Sequence, residues 1–126
     1  MIVFIIPLKS KSTSACWERV SQLFERCLKS VCSQTISDFR VIVVCHERPN
    51  INFEHPSVQY LEVDFEPPTL NPKSTDVLPL NQDRNRKVFI GLLQAQEIKP
   101  SHIMIVDADD CINKNIAEFV KNNASS

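Results

Sequence analysis

The chain has 126 residues, 43% of them hydrophobic and 23% charged, with a formal net charge of −1. That length makes one domain, 1–126, with room for a real core, and the composition is ordinary for a soluble globular protein. A charge so near neutral lacks the basic footprint of a nucleic-acid binder, and no apolar run approaches the length of a membrane span. One glycine against eight prolines excludes a P-loop or dinucleotide fingerprint in its usual form, because both need glycines for close backbone approach to phosphate. A nucleotide bound here would be held by side chains and a metal. The five cysteines show no CxxC and no paired Cys/His spacing, so a zinc site is not expected and they read as free thiols packed as small hydrophobes. Cys45-His46 does not form a nucleophile–base pair, since neighbours on a strand point to opposite faces.

Residues 2–6 form a continuous apolar run ended by Pro7, which suits a strand buried on both faces. The run lacks a charged n-region and a cleavage site, so it is not a signal peptide, and a cytoplasmic location is expected. Residues 9–14 are a polar loop, with Thr13 or Ser14 as the helix N-cap. Trp17, Val20, Phe24, Cys27, Leu28 and Val31 then recur at three- and four-residue steps, the apolar face of a helix running to Cys32. Residues 39–45 form a second buried strand, giving a βαβ unit with a parallel sheet. Residues 58–63 alternate as a half-exposed third strand. Residues 64–83 lack periodicity, hold Pro67, Pro68, Pro72 and Pro79, and read as a long loop, either a flap over a ligand or a disordered insertion.

A second helix is expected from Arg84 to Ile98, with Val88, Leu92 and Ala95 on one face and Lys99-Pro100 ending it. Arg84, Arg86 and Lys87 would crowd its first turn, where cations oppose the helix dipole. Either an anion sits nearby or they are simply solvated. Residues 102–106 form the central fourth strand, and Asn113 caps a last helix with Ile116, Phe119 and Val120 apolar. Residues 122–126 fray out.

The fourth strand delivers Asp107-Ala108-Asp109-Asp110. In an extended backbone side chains at i and i+2 share a side, so Asp107 and Asp109 project together. Paired carboxylates repel unless a cation or proton lies between them. A hard divalent cation, Mn²⁺ or Mg²⁺, is the natural occupant, completed by a substrate's phosphates. The alternative is that these acids form a turn or cap the next helix, and for Asp110 the turn is preferred.

Three segments resemble the N-terminal, nucleotide-sugar-binding half of a family 2 glycosyltransferase with a GT-A fold. They are residues 2–7, residues 28–35 leading into 38–44, and Ile105-Val106-Asp107-Ala108-Asp109-Asp110, which is similar to the family's DXD motif. The resemblance implies an α/β, Rossmann-like fold, a mainly parallel sheet flanked by helices and truncated after the DXD motif. It implies that Asp109 ligates Mn²⁺ or Mg²⁺ on the diphosphate of a UDP- or GDP-sugar, with Asp107 assisting or holding the ribose. Pro7, Leu8 and Lys9 would line the base pocket. Arg84 falls near a basic position of the family, and Gly91 and Ala95 match its small helix residues. Lys9, Arg84 or Lys87 would offset diphosphate charge. Two departures stand out: the family's acidic turn after the second strand reads Cys45-His46-Glu47-Arg48, with Glu47 as the substitute contact to the base, and its Arg-Asn pair is Val88-Phe89.

Family members continue past this point into an acceptor-binding half that supplies the catalytic base. The base and the acceptor are therefore unknown, and the expected activity is hexosyl transfer once that half is present. The alternative is a non-catalytic nucleotide-binding half-domain or an inactive truncated homologue. A haloacid-dehalogenase-type phosphohydrolase ranks lower, since that family carries its Asp-x-Asp on the first strand, and a structural α/β domain with incidental acids is a further rival. An incomplete sheet exposing an edge would pair with a second copy, so a homo-oligomer is also expected.

Overall fold

The computed structural model describes residues 1–69 and 77–123. Within the expected 64–83 loop, residues 70–76 with Pro72 lie outside the described residues, as do 124–126 of the expected frayed tail. Four strands, β1 (Ile2–Pro7), β2 (Phe39–Cys45), β3 (Val58–Glu62) and β4 (His102–Ile105), form one sheet among the described residues, in the order β3-β2-β1-β4. Every pairing is parallel. Helices α1 (Trp17–Cys32), α2 (Leu78–Ile98) and α3 (Ile116–Asn123) flank it, so the chain is an α/β domain compatible with a Rossmann-like arrangement.

β1 is apolar at every position before Pro7 because both its faces are covered. Ile2, Phe4 and Ile6 pack with Phe24, Cys27, Leu28 and Val31 of α1 and with Ala117 of α3. Val3 and Ile5 point the other way, onto Ala95 of α2. Successive side chains alternate between faces, so one strand serves two cores. The lone glycine, Gly91, lets α2 lie close on the sheet, for a Cβ there would stand 2.6 Å from Ile5 Cγ2.

Several expectations are corrected. α1 is capped by Cys16 without a side-chain bond, not by Thr13 or Ser14. Those hydroxyls instead close a short 3-10 turn, Lys11–Thr13, on the Ser10 carbonyl. α2 starts at Leu78, six residues before Arg84, with Pro79 in its first turn, where proline's missing N–H costs nothing. Arg84, Arg86 and Lys87 therefore lie beyond the first turn, where the dipole effect has faded. The buried ridge of α2 is Asp83, Lys87, Gly91 and Ala95, while Val88 and Leu92 are only half-buried. β4 is not central among the described strands but forms an edge, paired to β1 alone, with Ile103 exposed. α3 starts three residues after Asn113, whose Oδ1 accepts from Asn115 N–H at 2.8 Å. Phe119 of the apolar set on α3 is 66% exposed. No described helix is long and apolar enough to cross a membrane.

Candidate functional site

The sheet order reverses direction at β1: the chain runs β1, β2, β3 to one side, then returns to place β4 on the other. Open parallel sheets bind ligands in the crevice outside the carboxyl ends of the strands at such a switch point. A cleft of about 460 Å³ lies there. Pro7, Leu8 and Lys9 enter it from the end of β1, Asp107, Ala108 and Asp109 from the end of β4, and Asp83, Arg84 and Lys87 from α2. Val20 and Leu23 of α1 and Leu80 and Asn81 of α2 complete the lining. Of the residues singled out in the sequence, Pro7, Leu8, Lys9, Arg84, Lys87, Asp107 and Asp109 share this cleft. Glu47 does not line it. Its carboxylate accepts the Lys11 backbone N–H instead, which ties the 3-10 turn to the end of β2.

Asp107 and Asp109 are not on extended strand. Val106 N–H still bonds to the Ile5 carbonyl at 2.9 Å, and the chain then turns, Asp110 N–H closing on the Asp107 carbonyl at 3.0 Å. Asp110 is exposed and does not line the cleft, in keeping with a turn residue. The backbone of this turn is held from α1. Arg26 Nη2 donates to the Asp109 carbonyl at 3.3 Å, the Cys27 thiol to the Asp107 carbonyl at 3.5 Å, and Ile112 N–H to Ser30 Oγ at 3.1 Å. Burial first, then Cys111 and the neighbouring carboxylates, push the Cys27 thiol up to about 12. Cys27 is thus a protonated donor at neutral pH. With main-chain carbonyls engaged by α1, the carboxylates are left facing the cleft.

The two carboxylates differ. Arg84 Nε and Nη2 donate to Asp107 Oδ1 at 3.1 and 2.8 Å. With side chains 44% and 53% exposed, that pair is worth at most about 1 kcal/mol. The Asp109 carboxylate has no ion-pair or hydrogen-bond partner among the described residues. Nowhere among them do three His, Cys, Asp or Glu side chains come together to cage a metal. Two carboxylates alone suit a Mg²⁺ or Mn²⁺ ion only if ligand oxygens and water finish its shell, the usual arrangement when the ion bridges protein and phosphate.

Lys87 is the residue whose place the sequence reading did not foresee. Its side chain is 1% exposed. Nζ donates to the Leu8 carbonyl at 2.8 Å and to Asp83 Oδ2 at 2.7 Å. Leu8 N–H in turn bonds to the Val44 carbonyl at 2.9 Å. Lys87 therefore supports the floor of the cleft rather than reaching across it, and the exposed cations of the cleft are Lys9 and Arg84. Asp83, which neutralises Lys87, keeps Oδ1 buried without a hydrogen-bond partner among the described residues. Periodicity held the missed signal: Asp83, Lys87, Gly91 and Ala95 recur at four-residue steps, which places the Asp–Lys pair on the ridge of the two small residues that pack on the sheet.

No family model and no curated protein matches this chain.

Proposed function

We propose that the cleft binds a nucleoside-diphosphate sugar together with Mn²⁺ or Mg²⁺, and that the chain is the donor-binding half of a GT-A-fold, family 2 glycosyltransferase. One observation carries the reading. The strand ends that meet at the switch point bring the Asp107/Asp109 turn within one cleft of Lys9, Arg84 and the apolar Pro7-Leu8 segment. A nucleotide diphosphate needs that combination: apolar surface for a base, cations for phosphate, and carboxylates for a bridging ion. The segments that resemble that family, 2–7, 28–35 leading into 38–44, and 105–110, form β1, the last turn of α1 with β2, and the end of β4 with its turn.

Asp109, with Asp107 beside it, would hold the cation. When bound, the cation supplies charge stabilisation to a departing diphosphate. Lys9 and Arg84 add positive charge on the same side. Pro7 and Leu8 are buried and form the floor that Lys87 keeps in place, and the half-buried Val20, Leu23 and Leu80 beside them offer apolar surface for the base. The acceptor and its catalytic base are assigned to no residue of this chain.

Calorimetric titration of UDP, then GDP, with Mn²⁺ and with EDTA, tests the reading. Binding should require the cation, weaken at least tenfold in Asp109→Ala, and differ between the two bases. Equal affinity with EDTA, or none with either nucleotide, would refute it.

A further inference from the structure

The cleft carries as many carboxylates as cations: Asp83, Asp107 and Asp109 against Lys9, Arg84 and Lys87. The Asp83–Lys87 pair is buried and closed on itself. What faces a ligand is then Lys9, Arg84, Asp107 and Asp109. A diphosphate entering alone meets two carboxylates. A divalent cation entering alone meets Arg84, whose guanidinium already occupies Asp107 Oδ1 through two hydrogen bonds of 3.1 and 2.8 Å. Neither charge is welcome singly, and both are accommodated if they arrive together.

We propose that Arg84 is a positioning residue that exchanges partners: it holds Asp107 in the ligand-free cleft and passes to the diphosphate when a divalent cation takes its place on Asp107. The inference rests on the proposed donor site. Both donors of Arg84 fall on one oxygen, Oδ1, so the pair lacks the two-oxygen fork that makes Arg–carboxylate contacts strong. It is also about half exposed at each end, so solvent weakens it further. A contact this weak is readily given up. The arms of the exchange lie on different elements, Arg84 on α2 and Asp107 on the turn after β4, and both side chains line the one cleft. Because coupling between two ligands is reciprocal, the cation tightens the diphosphate by the factor by which the diphosphate tightens the cation.

The test reads binding, not turnover. Free Mn²⁺ is followed by electron paramagnetic resonance on wild-type protein, Arg84→Gln and Arg86→Gln. Arg86 lies on the same helix but against Phe65, outside the cleft. Arg84→Gln should tighten Mn²⁺ alone by about three- to tenfold, from removal of a competing cation a few ångströms away. It should at the same time weaken UDP in saturating Mn²⁺ by a similar factor. Arg86→Gln should move either affinity less than twofold. A complementary arm uses Asp107→Asn with inorganic pyrophosphate in EDTA: Arg84, released from its carboxylate, should raise pyrophosphate affinity several-fold. Mn²⁺ affinity unchanged or lower in Arg84→Gln, or an equal effect in Arg86→Gln, overturns the exchange. If Mn²⁺ tightens in Arg84→Gln and pyrophosphate in Asp107→Asn while UDP and GDP bind no variant, the exchange stands and the nucleotide-sugar reading falls. Circular dichroism on each variant confirms that the fold is intact.

Discussion

Replacing Lys87 by Met keeps most of the side-chain volume and removes the ammonium. The Lys87 and Asp83 side chains are 1% and 6% exposed and their charged atoms lie 2.7 Å apart. The substitution leaves Asp83 charged and unpaired in the interior, and takes from the Leu8 carbonyl its 2.8 Å donor. Breaking a buried pair from one side costs about 3–5 kcal/mol. An unfolding entropy of about 2.1 cal/mol/K per residue over 126 residues converts this to a fall in Tm of about 10–20 °C. Urea unfolding followed by circular dichroism, with a thermal scan, gives both numbers. The double variant Asp83→Leu/Lys87→Met removes the stranded charge and should regain about 2 kcal/mol, leaving a deficit of about 1–3 kcal/mol for the Leu8 carbonyl. A Lys87→Met loss under about 1 kcal/mol would show that the pair is not sequestered. A double variant no more stable than the single one would show that charge burial is not the cause.

Gly91→Ala places a Cβ 2.6 Å from Ile5 Cγ2 and 3.3 Å from Val44 Cγ2. Overpacking of about 1–3 kcal/mol outweighs the gain in helix propensity of about 1 kcal/mol, so denaturant unfolding should show a net loss; a gain would mean that α2 can lift off the sheet at no cost. Burial raises Cys27 from 9.0 to about 12, Cys32 to about 11 and Cys45 to about 11. The unfolded thiols ionise at lower pH than the folded ones, so this contribution is whole below pH 9 and is lost as pH rises from about 9 to about 12. Under reducing conditions the urea midpoint should fall across that window, less steeply in Cys27→Ala, and a slope identical in the two proteins would refute the assignment. Native-state alkylation should modify the exposed Cys16 and Cys111 quickly and spare Cys27 and Cys45 until urea unfolds the chain; rapid loss of all five thiols without urea would contradict the buried positions.

Much of the fold was legible because burial on both faces leaves a plain signature. β1 up to Pro7 and β2 after Arg40 are runs of consecutive apolar residues, and α1 shows an apolar stripe at three- and four-residue steps. The start of α2 was not legible, because Pro79 argues for a loop when its place in the helix is unknown, whereas in the first turn it is permitted. The edge position of β4 is not legible, because strand order depends on contacts far apart in sequence. Most of the candidate site could be listed from the residues at strand ends, since the switch point gathers those ends whatever lies between them. Glu47 was drawn in by analogy and is held elsewhere, by the Lys11 N–H. Lys87 is expected from the sequence to face an anion or solvent, because a charged residue in a helix is ordinarily solvated. Its burial depends on Asp83, one turn earlier in the same helix.

The Leu8 peptide is fastened at both ends, its N–H to β2 through Val44 and its carbonyl to α2 through Lys87. The entropy of ordering this segment is spent when the chain folds, so a ligand resting on it would not be charged again. Binding at that floor should then be governed by contacts and desolvation, with little heat-capacity change from local folding. It also means that changes reaching Lys87 or Val44 would be felt as a loosening of the floor of the cleft.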